Sequence, residues 1–385
     1  MTKEKTDNQK PEKVTNWKTQ LSKLQGAVLE KEQIHENVLQ SRSPSLNATF
    51  GNGWGLPYGY SLLLGGKPKG GKSTIINDMI GSLHQKDPKA IAIKIDTEFR
   101  EKVQNSEKEL QKWGIDEERY IAYERDDPDT IDFIDKDLTE LMEKGCPIRL
   151  LALDSINGIV GFRTESAETA RKAFNQMGDN AKTQQLLMSK LLSFCRKYKV
   201  AAIISAHVGA EMDEYEKMRG NDVRIKTSFG VNHRIEYWMY VEKLLTKAGR
   251  QDLLDQPFYR DSGIHMTGSD KEGDLFAHKI RVKMTNSSFG PTNRIGEFTY
   301  KYDTGIWNQH EEVFIMGLNH APQIILSGGG GNYTINDKTW RGKPAILEAL
   351  KNDSTLREYV LSEIQKRELG HPRYLIEKCL TAIAT

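Results

Sequence analysis

Cysteine is scarce: the 385 residues hold three, Cys146, Cys195 and Cys379. An odd number without metal-ligand spacing excludes a disulfide scaffold, argues against structural zinc and suits a reducing compartment. Long hydrophobic runs are also missing. No stretch approaches the ~18 apolar residues that span a bilayer. The first fifteen residues, MTKEKTDNQKPEKVT, lack the apolar stretch of a secretory signal. A cytoplasmic protein with no membrane partner is the expectation. Neither sign of charge dominates, because 55 basic and 53 acidic side chains leave a formal net charge of +2. Net charge by itself therefore does not predict nucleic-acid binding, and any such claim rests on local sites. No internal repeat or collagen-like period occurs. Hydrophobic residues at 37% and charged residues at 28% describe a globular chain. Its length suits one large domain with appendages, or two ordinary domains.

After the polar start (1–16), residues 17–33 carry Leu21, Leu24, Val28 and Leu29 roughly on one helical face. Residues 41–59 are rich in Ser, Asn, Gly and Pro and predict a loop. From Tyr60 short apolar runs alternate with amphipathic stretches. The strand candidates are 60–66, 90–96, 120–126, 148–154 and 200–207; helices are expected over 74–86, 102–113, 129–144 and 181–198. Continuous apolar runs suit strands buried on both faces of a parallel sheet, and the alternation predicts an α/β class. Strands at 236–245, 275–285 and 296–302 lack long helices between them and are expected to add an antiparallel portion. A glycine run at 328–331 then precedes an expected small helical appendage, whose core is Ile346, Leu347, Leu350, Leu356, Val360 and Ile364.

The strongest chemical signal is GKPKGGKST, residues 66–74. Gly66, Gly71, Lys72 and Ser73 match G-x-x-x-x-G-K-[ST] between a strand and a helix. Glycines let the loop aim backbone N–H groups at phosphate oxygens. Lys72 reaches the terminal phosphates, and the Ser73 hydroxyl takes a Mg²⁺ position. The ATP-binding expectation covers Gly66, Lys67, Pro68, Lys69, Gly70, Gly71, Lys72, Ser73 and Thr74. Asp154 ends the strand IRLLALD, where a carboxylate reaches the crevice beyond the strand ends and completes the metal set with Ser73. Glu98 and Asp96, both in KIDTEF, compete for the role of activating water, and spacing alone leaves the choice open. His207 closes VAAIISAH and suits either a phosphate sensor or a partly buried imidazole bonded to backbone. Two long segments, 158–182 and 208–234, mix Arg, Lys, Met and Gly with acids. Connections of that length are functional or disordered, and a mobile lid is the plainer alternative.

The order of these parts resembles the RecA recombinase family, phage recombinases of the UvsX type included. SLNATFGNGWGLPYGYSLLLGGKPKGGKST is similar to the family's approach to the nucleotide, IDTEF to its catalytic-glutamate segment and LLALDSI to its metal-carboxylate strand. MGDNAKTQQLLMSKLL resembles the end of the first DNA loop, AAIISAH the strand into the second, and KIRVKMTNSSFGP the strand that supplies trans-acting basic residues. RGKPAILEALKNDSTLREYVLSEIQKREL resembles a small C-terminal domain. The likeness spans about residues 17–370.

It implies a RecA-type P-loop NTPase core over 60–327 with a mainly parallel sheet. A disordered tail (1–16), an N-terminal oligomerisation helix with linker (17–59) and a small C-terminal domain (328–385) complete the implied organisation. It further implies a DNA-dependent ATPase using ATP and Mg²⁺, which forms filaments on single-stranded DNA and exchanges strands with homologous duplex DNA in recombinational repair, helped by loader or single-strand-binding proteins. The implied catalytic residues are Glu98, Lys72, His207 and Lys283, with Lys283 acting on the neighbouring subunit's ATP. The implied DNA contacts are Met177, Lys182, Met212, Arg219, Arg224 and Lys226. Departures from the family are Thr285 where a second cation is usual, Phe229-Gly230 for the usual Gly-Gly, and no identifiable adenine-stacking aromatic after Glu98. A hexameric helicase and a non-catalytic recombination mediator are the rival readings.

Overall fold

The alternation of apolar runs and amphipathic stretches becomes a nine-stranded mixed sheet in the computed structural model. The structure describes residues 37–51, 54–104, 106–161, 177–210, 212, 214, 218, 223–227, 229–244, 259–260, 274–320 and 322–369. All of them fall in one compact unit. The expected tail and N-terminal helix lie outside the described residues.

The sheet strands are β1 (Ser61–Gly66), β2 (Ile91–Asp96), β3 (Tyr120–Glu124), β4 (Ile148–Asp154), β5 (Ala201–Ala206), β6 (Tyr237–Leu244), β7 (Ala277–Ser287), β8 (Ile295–Lys301) and β9 (Gly305–Trp307). Their order is β9-β8-β7-β6-β1-β5-β4-β2-β3. Pairings from β6 through β1, β5, β4 and β2 to β3 are parallel. Those joining β6, β7, β8 and β9 are antiparallel. The molecule is thus α/β with a large, mostly parallel sheet. Parallel pairing with one strand direction brings the carboxyl ends of β1, β2, β4 and β5 to a single edge, where ligands bind in such sheets.

The longer helices are α1 (Lys72–Lys86), α2 (Glu107–Trp113), α3 (130–143), α4 (Met177–Tyr198), α5 (Gln309–Asn319), α6 (Lys343–Asn352) and α7 (Ser354–Leu369); within the loop expected over 41–59, Ser43 caps a short helix, Pro44–Ala48. Helix α3 widens to π geometry over Phe133–Leu138. The expected single helix over 102–113 is two short pieces, Glu101–Gln104 and α2. Successive residues of β1 point to opposite faces, as strand pleating requires. Leu62 and Leu64 join Ile75, Ile76, Met79 and Ile80 of α1 in one core. Leu63 joins Leu187, Met188 and Leu191 of α4 in the other, where the i, i+4 spacing of the two leucines gives α4 its apolar face. Gly81 permits α1 to approach α2 closely: a Cβ there would sit 1.9 Å from the Trp113 carbonyl oxygen.

A third core joins Trp54, Val313, Phe314, Ile325, Tyr333 and Ile335 to Ile346, Leu347, Leu350, Val360 and Ile364. The expected appendage residues are therefore buried together, with Leu356 partly buried against them. They are not purely helical company. Strands β10 (Leu326–Gly328), β11 (Asn332–Ile335) and β12 (Lys338–Arg341) form a small antiparallel sheet around the glycine run. Helix α5 and Trp54 also contribute, so this core draws on residues from both sides of position 328. Among the described residues no helix is long and apolar enough to cross a membrane.

Candidate active site

The loop between β1 and α1 turns sharply at Gly71, whose φ of 109° is left-handed and disfavours any side chain. Helix α1 starts at that turn, and its first N–H groups have no intrahelical partners. Lys72 lies over its own loop, donating from Nζ to the carbonyl oxygens of Gly66 at 2.9 Å and Lys67 at 3.1 Å. Burial lowers the Lys72 pKa, while Asp154 and Glu98 oppose that shift.

Ser73 Oγ donates to Asp154 Oδ2 at 2.8 Å. Ser205 of β5 donates to Asp154 Oδ1. Lys94 Nζ stands 3.8 Å from Asp154 Oδ2 and donates to Glu101 Oε2 at 2.9 Å. Burial works against the Lys94 charge, but Asp154, Glu101 and Asp96 together hold its pKa above the ordinary range. Tyr120 donates from its hydroxyl to the other Glu101 oxygen.

The structure separates the two acids of KIDTEF. Asp96 is engaged with the backbone: its Oδ1 accepts from Glu98 N at 2.9 Å and its Oδ2 from Arg100 N at 2.7 Å, which fixes the turn after β2. Glu98 faces the cavity instead. Its Oε1 meets His207 Nε2 at 2.9 Å and accepts from Ser155 Oγ at 3.2 Å, and its Oε2 pairs with Arg100 at 2.8 Å. His207 is anchored through its main chain. Its N–H donates to Asn157 Oδ1 at 2.7 Å, and its carbonyl accepts from Lys226 N at 2.7 Å. Lys226 directly follows a hairpin of Val208–Ala210 with Val223–Ile225. One hydrogen bond therefore connects the Glu98 carboxylate to the base of that hairpin.

Glu98, Arg100 and His207 line a cavity of about 440 Å³, together with Pro68 to Thr74 and Asp154. That volume is within the usual ~300–1,000 Å³ of small-molecule sites. The far wall was not foreseen from the sequence: Asn77, Arg100, Glu109, Trp113, Lys243, His278, Tyr300 and Tyr302. Trp113 and Tyr300 stack with planes 5° apart, and the Tyr302 hydroxyl lies 3.1 Å from His278 Nδ1. Desolvation, reinforced by Lys243, pushes the His278 pKa down to about 3, so its ring is neutral. The alternation of tyrosines in TYKY was the available signal, since residues two apart on a strand share a face. A larger cavity of about 720 Å³ lies where Arg42 meets α5, α6 and α7. It holds none of the phosphate-loop residues, and two of its cations are already committed, Arg42 to Asp78 and Arg357 to the carbonyls of Leu350 and Lys351.

Magnesium fits the donor set of the smaller site. Among the described residues no group of three or more His, Cys, Asp or Glu side chains could hold a metal alone. A carboxylate paired with a hydroxyl, Asp154 with Ser73, suits a cation that keeps waters and phosphate oxygens as its other ligands.

Of the expected DNA contacts, Lys182, Arg224 and Lys226 are exposed, and Met212 is 82% exposed. Met212, Arg224 and Lys226 line one shallow groove with Asn180, Ala181 and Gln184 of α4. Met177 begins α4, but its side chain lies outside the described residues, as does all of Arg219. Lys283 sits on β7 opposite Tyr240 and Ile295, half-buried and apart from the cavity lining. Of the other cations near it in sequence, Arg281 is paired with Glu297 and Glu242, and Arg294 donates to the Ala48 carbonyl. No protein-family model and no curated protein matches the chain.

Proposed function

We propose that this chain is a Mg²⁺-dependent, DNA-stimulated ATPase of the RecA recombinase type, which assembles on single-stranded DNA and exchanges strands with a homologous duplex. The observation that carries the reading is the hydrogen bond between Glu98 and His207. It connects the group poised to act on water with the hairpin below a basic, methionine-bearing groove. A stand-alone nucleotide pocket has no need of that connection. The motif order described above supports the same reading.

In this scheme the phosphates lie along residues 66–74, and Lys72 exchanges its two carbonyl partners for phosphate oxygens. Magnesium held by Ser73 and Asp154 would offset charge on the phosphates during transfer. Glu98 orients the attacking water and takes its proton once His207 and Arg100 no longer claim its oxygens. His207 then reports the state of the terminal phosphate to the hairpin through its main-chain bonds. The aromatic wall of Trp113, Tyr300 and Tyr302 gives the base an apolar surface. Lys283, apart from its own cavity, is assigned to the neighbouring subunit's nucleotide.

Negative-stain microscopy with single-stranded DNA and a non-hydrolysable ATP analogue tests assembly. Helical filaments are expected. Closed rings would favour the helicase alternative, and no assembly would count against both. Lys72→Ala, in a variant that keeps its thermal transition, is expected to lose both turnover and ATP-dependent DNA binding. Near-wild-type turnover in that variant would overturn the ATPase assignment.

A further inference from the structure

Lys94 is the most deeply buried lysine among the described residues. It lies on β2, in the interior of a parallel sheet, and is 1% exposed. Its register partners on the two neighbouring strands are Ala152 and Ala122, whose small side chains leave room for a long one. A buried ammonium is costly unless carboxylates surround it. The chain supplies them in an uneven arrangement. Glu101 takes the hydrogen bond at 2.9 Å and is itself held by the Tyr120 hydroxyl. Asp154, already accepting from Ser73 and Ser205, is 3.8 Å away, within Coulomb range but beyond a hydrogen bond.

We infer that Lys94 is a positioning residue that occupies the electrostatic place of the metal beside Asp154, so that a divalent cation is retained only when it arrives with nucleotide phosphates. The inference rests on the magnesium–nucleotide reading of the site and deepens it. A free cation entering between Ser73 and Asp154 meets a fixed ammonium a few ångströms away, in a place where water screens little. Its gain from one carboxylate is largely offset by that repulsion. A cation carrying phosphate oxygens brings its own negative charge, and the repulsion is balanced. Glu101 and Tyr120 set the balance by holding the ammonium back from Asp154. Without the Glu101 charge, Lys94 leans more heavily on Asp154, with Asp96 as its remaining acid neighbour, and competes harder with the metal. With both charges removed, Asp154 is open to it.

Two variants therefore move the same quantity in opposite directions. The measurement is the Mg²⁺ concentration that half-saturates binding of a fluorescent N-methylanthraniloyl ATP, with Mn²⁺ binding in the absence of nucleotide followed by electron paramagnetic resonance. Lys94→Met combined with Glu101→Gln is expected to lower the half-saturating Mg²⁺ at least fivefold and to give measurable Mn²⁺ binding alone. Glu101→Gln by itself is expected to raise the half-saturating Mg²⁺ at least fivefold. A purely structural network would make both variants worse in the same sense, and that result, or no movement in either, overturns the inference. If the double variant loses its cooperative thermal transition, the near-isosteric Glu101→Gln decides alone, and the absence of a rise refutes the role of Lys94. A wild-type protein that binds no nucleotide at any Mg²⁺ concentration sinks the ATP reading and this inference together. Wild-type binding with unmoved variants sinks only this one.

Discussion

Glu312 offers a perturbation whose size follows from its surroundings. It is 4% exposed on α5. Its Oε2 accepts from Ser43 Oγ at 2.5 Å and Ser45 N at 3.0 Å, while Oε1 is buried without a hydrogen-bond partner among the described residues. Burial dominates and lifts its pKa from 4.5 to about 8, with the nearby Asp78 adding to the rise and the two serines opposing it. The folded protein therefore holds a proton here that the unfolded chain releases near pH 4.5. The stability from the neutral acid is complete below that value and is lost as pH rises to about 8, beyond which both states are ionised. The slope is at most ~1.4 kcal/mol per pH unit across that window. Glu312→Gln removes the titration but leaves an oxygen to accept from the serines. Its buried amide N–H groups lack acceptors, which costs ~1–3 kcal/mol at every pH. The informative quantity is thus slope, not offset. Unfolding in urea, followed by tryptophan fluorescence at half-unit steps from about pH 5 to pH 9, should show the wild type losing ground to Glu312→Gln up to pH 8 and running parallel above it. Parallel curves across the whole range would refute the claim that Glu312 is folded as a neutral acid.

Other outcomes follow from the candidate site. Glu98→Gln should lower kcat by ~10²-fold or more while nucleotide affinity stays within a few-fold, as single-turnover and equilibrium-binding measurements will show. Replacing Arg224 and Lys226 together by Gln should weaken single-stranded DNA binding and make log affinity less dependent on log salt, by ~0.7 for each phosphate contact removed; fluorescence anisotropy across a salt series reads both. Lys283→Ala and Lys72→Ala should each be inactive alone and regain DNA-stimulated turnover when mixed. Full activity of Lys283→Ala alone would remove its trans role.

Much of the architecture was readable because parallel strands buried on both faces have few ways to be written. The apolar runs at β1, β2, β4 and β5 and most of their intervening helices appear where periodicity places them, with ends that coincide or differ by up to four residues. Boundaries depend on capping contacts that the pattern does not carry. The helix expected over 102–113 breaks near Ser106, which begins α2 in extended backbone. The small sheet β10–β12 was missed because its strands are three or four residues long and enclose a glycine run that reads as loop.

Within the site, the phosphate loop, Asp154 and His207 were legible from type and strand-end position. Spacing left Asp96 and Glu98 open, since both acids follow the same strand, and the family resemblance pointed to Glu98. The structure adds that two backbone N–H groups occupy Asp96. The aromatic wall escaped for a different reason. Trp113, His278, Tyr300 and Tyr302 come from three distant segments, and only the antiparallel pairing of β7 with β8 brings the last three together. Nothing in the apolar run 90–96 marks Lys94 as functional; its place shows only once Glu101 and Asp154 are seen around it.

The contact between Ser43 and Glu312 joins positions 269 residues apart. A ribosome adding roughly 5–20 residues per second delivers the second partner about fifteen to fifty seconds after the first. Trp54 waits as long, because its core companions run from Val313 to Ile364. During synthesis the sheet strands β1 to β5 can emerge and pair while the segment just before them still lacks its final cover. The newborn chain thus exposes Trp54 early and conceals it late, whereas Leu46 and Phe50 find their core companions in β1, β6, β7 and β8 before α5 is made. Chains that terminate before α5 leave Trp54 without that cover, the kind of transient apolar exposure that chaperones and proteases act on.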